Sequence, residues 1–225
     1  MLWAQVGYVA ALSDAYRVIT VDSLGHGESD KPADATAYGC EQRVGDIAAV
    51  LDNEGLSKAH CIGYSMGGWL VSGVARYQPE RLLSLTVGGW DPVGGLNRNL
   101  TEFELLGDPV EKPGPPDFET ALKLMSKMNP ELRASVTDDV KPALSAGWYA
   151  MQEPTVTAED LAELDVPVLL WAGTDDSCIE GCRALAEQID NVTLHEVAGD
   201  HGGALQANMK ASLVGLRSFL DRASS

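Results

Sequence analysis

Five short β-rich runs stand out along the chain, most of them nearly continuously apolar: Arg17–Asp22, Lys58–Gly63, Leu83–Gly88, Val166–Ala172 and Asn191–Val197. Runs without polar alternation suit strands covered on both faces, as in a parallel sheet. Between them apolar residues recur at helical spacing. Leu2, Val6, Val9 and Leu12 mark one face of an opening helix, and Val44, Ile47, Val50 and Leu51 another. A third helix runs from Ser65 toward Arg76 and stops before Pro79, and the last carries Leu213, Leu216 and Leu220. Alternation of this kind predicts an α/β fold with a mostly parallel sheet, right-handed crossovers and helices on both faces.

The rhythm breaks between about residues 91 and 165, where the pattern is helical and no strand is evident. Lys112-Pro113-Gly114-Pro115-Pro116 reads as a stiff hinge. Asp117 is placed to cap a helix carrying Phe118, Ala121, Leu122, Met125 and Met128, and Asn129-Pro130 reads as an N-cap followed by proline at the first helical position. Thr157 and Asp160 form a variant capping box ahead of Leu161 and Leu164. The predicted organisation is a core of residues 1–90 and 166–225, interrupted by a helical insertion at 91–165.

At 225 residues the chain can bury a full core without disulfides or metals. Its apolar runs are too short to span a bilayer. The first residues carry no basic cluster before the apolar stretch, unlike a secretory signal. The net charge is −17, which repels phosphate backbones and anionic lipid. Nucleic-acid and membrane-surface roles are therefore disfavoured. Of the four cysteines, Cys61 lies in a strand pattern as a buried thiol. Cys178 and Cys182 stand four apart with no second pair to complete a zinc site. Free thiols point to a reducing cytoplasm.

The sharpest chemical signal is Gly63-Tyr64-Ser65-Met66-Gly67-Gly68, which follows a strand pattern and opens a helix pattern. A serine on such a turn is lifted out of the sheet at a helix N-terminus. Side chains at positions 63 and 67 are expected to collide with the neighbouring strand and helix, so glycine stands at both. The Met66 N–H then faces negative charge developing on a bound carbonyl oxygen. The bland alternative is a glycine-rich turn with an N-cap serine.

A serine hydroxyl needs a base. The chain has four histidines. His195 lies within a strand pattern and His60 borders one, which favours structural roles, and His26 lies in an early loop. His201, in Gly199-Asp200-His201-Gly202, follows the last strand at the C-terminal edge of the sheet, where reacting groups gather. A base needs an acid to orient it. Asp175 and Asp176 follow the fourth strand at the same edge. Helix capping or turn chemistry is their alternative role.

Together these segments resemble the α/β-hydrolase superfamily, in its esterase, lipase and epoxide-hydrolase-like branch. Val18 to Asp30 resembles the family's strand and its "D-x-x-G-H-G-x-S" loop. Gly63 to Gly68 resembles the nucleophile elbow, Gln78-Pro79-Glu80-Arg81 the segment after the elbow helix, and Gly199-Asp200-His201 the histidine loop. Leu169 to Asp176 resembles the acid-bearing turn, and the usual three-residue spacing from Gly173 selects Asp176. The order Ser65, Asp176, His201 is the family's order. The insertion at 91–165 corresponds to its variable cap.

One departure stands out. Met1-Leu2-Trp3 already resembles the helix that follows the family's N-terminal His-Gly loop, so the resemblance implies an N-terminally shortened fold without the first strands and without that loop's oxyanion donor. One of the missing strands would lie between Arg17–Asp22 and Lys58–Gly63. Its loss leaves a gap or lets the two flanking strands pair directly. Direct pairing is the expectation, and it would carry Gly25-His26-Gly27 toward the vacant oxyanion position.

The implied activity is a serine hydrolase acting on a small carboxylic ester, thioester or lactone, with Ser65, His201 and Asp176 as nucleophile, base and orienting acid and Met66 as oxyanion donor. Neither metal nor cofactor is required. Trp90 and Asp91 are expected to face the site. Trp148 and the insertion's Leu and Met residues are placed either in an acyl pocket or in the insertion's own core. The expected partner is a small-molecule ester, with no nucleic acid and no membrane, and an uncovered sheet edge would favour a homodimer. Alternatives are a catalytically weak or inactive ligand-binding protein on the same fold, and a carbon–carbon bond hydrolase or cofactor-free perhydrolase.

Overall fold

The computed structural model describes residues 2–97, 115–128 and 136–224. Four strands form one parallel sheet in the order β1-β2-β3-β4: β1 (Ala59–Tyr64), β2 (Leu82–Gly88), β3 (Val168–Gly173) and β4 (Val192–Val197). The register runs Ile62 to Thr86, Thr86 to Leu169 and Leu169 to Thr193. All three pairings are parallel, so every C-terminal strand end opens onto one edge.

Helices cover both faces. On one face, α3 (Cys40–Asn53), α4 (Met66–Tyr77) and α8 (Ile179–Gln188) pack through Val44, Trp69, Val74 and Leu185 onto Leu85, Val87 and Leu170. On the other, α2 (Tyr8–Leu12) and α9 (Met209–Ala223) bring Tyr8, Leu12, Leu216 and Phe219 onto Leu169 and Trp171. The central strands β2 and β3 are thus buried on both sides, as a parallel sheet requires, whereas the edge strand β4 leaves Thr193 and Glu196 exposed. The opening helical pattern is divided. Gly7, at φ 104°, separates α1 (Leu2–Val6) from α2.

Within the described part of 91–165 lie α5 (Phe118–Met128), α6 (Lys141–Ala150) and α7 (Ala158–Ala162). Asp117 accepts from the Thr120 N–H at 2.9 Å at the start of α5. Thr157 and Asp160 make a reciprocal capping box on α7. The proposed cap at Asn129-Pro130 and most of the hinge at 112–116 lie outside the described residues. Phe118, Leu122, Trp148 and Leu161 join the same apolar cluster as α4, and the Trp148 indole donates to the Pro116 carbonyl at 2.9 Å. Trp148 is therefore a packing residue.

The first predicted strand is not one. Among the described residues, 17–22 form no ladder and β1 is paired only with β2. The expected direct pairing of Val18–Val21 with His60–Gly63 is overturned. The two segments instead face each other across a groove of about 690 Å³, and Ile19 and Val21 remain 36% and 49% exposed. Apolar patterning records which faces of a segment could be covered, but a strand also needs a hydrogen-bonded neighbour at its edge.

Candidate active site

The turn after β1 carries Ser65 at φ 57° and ψ −119°, the one non-glycine residue with positive φ among the described residues. Such backbone is sterically costly for any residue with a Cβ. Bonds on either side hold it: the Ser65 N–H donates to the Gly88 carbonyl at the end of β2 (2.8 Å), and the Ser65 carbonyl accepts from Trp69 (3.0 Å) in the first turn of α4. Met66 opens α4, so its N–H has no acceptor within the helix and faces outward at the helix's positive end.

The two flanking glycines do not share one role. A Cβ on Gly63 would overlap the Gly67 carbonyl, so the turn closes only with glycine there. A Cβ on Gly67 would meet nothing within 4 Å, contrary to the sequence expectation. The close helix–sheet contact falls one residue later. A Cβ on Gly68 would stand 2.9 Å from the Gly88 carbonyl oxygen and 3.0 Å from Trp90 Cβ.

His201 follows β4, and Asp176 follows β3. His201 Nδ1 lies 3.0 Å from Asp176 Oδ2. The Asp176 side chain is fully buried, whereas that of His201 remains 25% exposed. Burial alone would raise the Asp176 pKa. The hydrogen bond and charge of His201, with the Cys178 N–H at 3.3 Å from Oδ1, outweigh it and hold the carboxyl below its ordinary range. Asp175, the rejected neighbour, spends its N–H on the Gly199 carbonyl, binding the acid turn to the histidine loop. The bond from Thr174 N to the Val197 carbonyl does the same.

Two residues that motif reading passed over bring His201 to the serine turn. The Tyr64 hydroxyl donates to the His201 carbonyl at 2.6 Å, and the two rings stand 5.1 Å apart. Gly89, at φ 57°, leaves room for both rings: a Cβ there would lie 2.7 Å from Tyr64 and 2.8 Å from His201 Cε1. Tyr64 precedes Ser65, and Gly89 follows the residue that accepts from it. Serine turn, tyrosine and histidine loop therefore converge on the Gly88-Gly89 corner. The doubled glycine after β2 is the one trace of this in the sequence. The identity of residue 64 carries no such trace.

The other histidines are held elsewhere. His60 Nδ1 lies 2.8 Å from Ser84 Oγ, and His195 Nε2 lies 3.1 Å from the Ala211 carbonyl. His26 Nδ1 lies 3.3 Å from the Leu24 carbonyl, and burial lowers its pKa. The Gly25-His26-Gly27 loop is held by its own turn bonds, with Gly25 against Tyr38 and Ala143. The ladder that would have carried it to the oxyanion position does not form. Trp90 and Asp91 are both buried. Trp90 packs in the main cluster, and Asp91 Oδ1 accepts from the N–H groups of Val93 and Gly94 at 3.1 and 2.8 Å. All four cysteines are unpaired thiols, and among the described residues no three His, Cys, Asp or Glu side chains converge as a metal site. No described helix is long and apolar enough to cross a membrane.

A parallel sheet with a strained serine between strand and helix, and an Asp–His pair at the same edge, defines the class of α/β proteins built around a nucleophile turn. The comparisons narrow it: residues 2–211 match the alpha/beta hydrolase family, and the chain belongs to that family. It is 31% identical over 176 residues to 3-oxoadipate enol-lactonase 1 of Acinetobacter baylyi, an alignment covering 75% of this chain and 64% of the lactonase. The chain thus spans about two thirds of that relative's length. Among solved structures, a thermophilic esterase from Thermogutta terrifontis superposes with a TM-score of 0.72 at 20% identity, over 100% of this chain and 86% of that one. A meta-cleavage product hydrolase, CumD, also reaches 0.72, at 22% identity over 97% and 84%. These two likenesses concern the fold.

Proposed function

We propose that the protein is a serine hydrolase of small carboxylic esters, thioesters or lactones, working through an acyl-enzyme on Ser65. The observation that carries this reading is the 3.0 Å Asp176–His201 bond at the same sheet edge that carries a serine in strained backbone. With Nδ1 engaged by Asp176, His201 offers Nε2 as the base. Nε2 takes the Ser65 proton as Oγ attacks the substrate carbonyl carbon. The Met66 N–H stabilises the resulting oxyanion. The tetrahedral adduct collapses, His201 protonates the departing alkoxide, and acyl-Ser65 remains. His201 next removes a proton from water, whose oxygen attacks the acyl carbon. Collapse returns the proton to Ser65 and releases the acid. An oxyanion donor of this kind is worth about 10²–10³ in rate. The similarity to an enol-lactonase supports a cyclic ester among the substrates.

A fluorophosphonate probe and a short-chain p-nitrophenyl ester test the reading together. Stoichiometric labelling at Ser65, with labelling and hydrolysis both lost in Ser65→Ala, is the expected result. A folded protein that takes no label, or unchanged hydrolysis in the alanine variant, removes the mechanism.

A further inference from the structure

His201 stands in the first turn of a helix that Asp200 caps. Asp200 Oδ1 accepts from the Gly203 N–H at 2.6 Å, and the Asp200 carbonyl accepts from the Ala204 N–H at 3.0 Å. The helix then leaves α register. Gly203–Ala207 is a π turn: the Asn208 N–H bonds the Gly203 carbonyl at 2.9 Å, in place of the Ala204 carbonyl that α register would use. Turns of this kind are rare, and side chains hold this one. The Ser212 hydroxyl donates to the Ala204 carbonyl at 2.6 Å, and the Tyr8 hydroxyl donates to the Leu205 carbonyl at 3.0 Å. The Asn208 side-chain amide reaches back to the Ala198 carbonyl, ahead of His201, at 2.7 Å.

We propose that Ser212 is a positioning residue for His201, fixing the orientation of its imidazole through the π turn. The inference rests on His201 as the base of the reaction above. Ser212 is fully buried on α9, and its oxygen accepts the Trp171 indole N–H at 3.1 Å. The same hydroxyl then spends its proton on Ala204, so it serves two elements at once. Trp171 lies on β3, the strand that leads to Asp176. Its carbonyl accepts from the Gly89 N–H at 2.8 Å, and its ring meets that of Tyr64 edge-on at 4.9 Å. One indole thus joins the acid's strand, the Gly88-Gly89 corner and, through Ser212, the turn after His201. α9 is packed on the sheet through Leu216, Phe219 and Leu220. A π turn relaxing to α register would therefore rotate the single turn that bears His201 rather than α9.

The test compares Ser212→Thr with Ser212→Val, which share a shape and differ by the hydroxyl. Ser212→Ala adds no bulk and serves as a second deletion of the hydroxyl. Ser84→Ala removes another fully buried serine, which bonds His60 near the start of β2, and controls for loss of stability alone. Two quantities are read: turnover of a short-chain p-nitrophenyl ester, and the proton NMR signal of the hydrogen between His201 Nδ1 and Asp176. Ser212→Val and Ser212→Ala are expected to lower kcat at least about tenfold with KM changed less than about twofold, and to move the signal. Ser212→Thr should retain most of the turnover and the wild-type signal. Ser84→Ala should lower the thermal midpoint and leave both readouts unchanged. The proposal is overturned if loss of the Ser212 hydroxyl lowers stability alone, if threonine does no better than valine, or if Ser84→Ala moves the signal as far. The NMR signal needs no turnover, so an inert Ser65 and a Ser212 without influence on His201 give different results.

Discussion

Replacing Ser65 by glycine should stabilise the protein relative to Ser65→Ala. At φ 57° and ψ −119° any residue with a Cβ pays about 1–3 kcal/mol in steric strain. Alanine keeps that Cβ and differs from serine only by the hydroxyl, so it is the proper reference. Glycine relieves the strain but orders a freer chain on folding, at a cost of roughly 0.5–1 kcal/mol. The net gain of Ser65→Gly over Ser65→Ala is then about 0–2.5 kcal/mol, centred near 1 kcal/mol. For a chain of this size each kcal/mol moves the midpoint by about 2–4 °C, so the expected rise at the centre of that range is roughly 2–5 °C. Differential scanning calorimetry and urea unfolding on the two variants would read it. On the proposed mechanism both variants lack the nucleophile and should lose at least about 10³ in ester turnover, so the two differ in stability and not in activity. A glycine variant no more stable than the alanine one would mean that the turn relaxes without strain, and the reasoning would fail.

The flanking glycines should separate sharply. Gly63→Ala forces main chain against the Gly67 carbonyl and should cost at least about 1–3 kcal/mol. Gly67→Ala enters open space in the first turn of α4 and should be neutral or stabilising by up to about 1 kcal/mol; equal urea midpoints for the two variants would contradict the assignment. Tyr64→Phe removes the hydroxyl bond to the His201 carbonyl but keeps the ring contacts. It should cost about 0.5–1.5 kcal/mol of stability and lower kcat more than it changes KM; an unaltered kcat would relieve Tyr64 of any positioning role. The Asp176 carboxyl has a folded-state pKa below its ordinary 3.8. Its ionised form therefore stabilises the fold above that value, and the contribution is lost only as pH falls through the lower folded-state pKa. The stability difference between wild type and Asp176→Asn should not shrink from pH 7 to 5, because the carboxylate also favours the His201 imidazolium, and should shrink below about 3.8, measured by denaturant titration; shrinkage between pH 7 and 5 would refute the depressed pKa.

What could be read in the sequence was whatever is encoded within one segment. The helices, four of the strands and the elbow are local: apolar spacing sets the elements, and a serine between glycines at a strand–helix junction admits few backbones. The Asp–His pair was legible for a related reason. Each residue follows its own strand, and parallel strands bring all such followers to one edge, so chain order became spatial proximity without any knowledge of contacts. The failures are equally specific. Arg17–Asp22 has a buried strand's pattern, yet a ladder belongs to two segments and no strand among the described residues pairs with it. Gly67 and Gly68 are adjacent glycines, and nothing in their order says which Cα faces Gly88 and which faces the groove. Tyr64 is an unremarked middle letter of the motif, though its hydroxyl ties the turn to a loop 137 residues later in the chain.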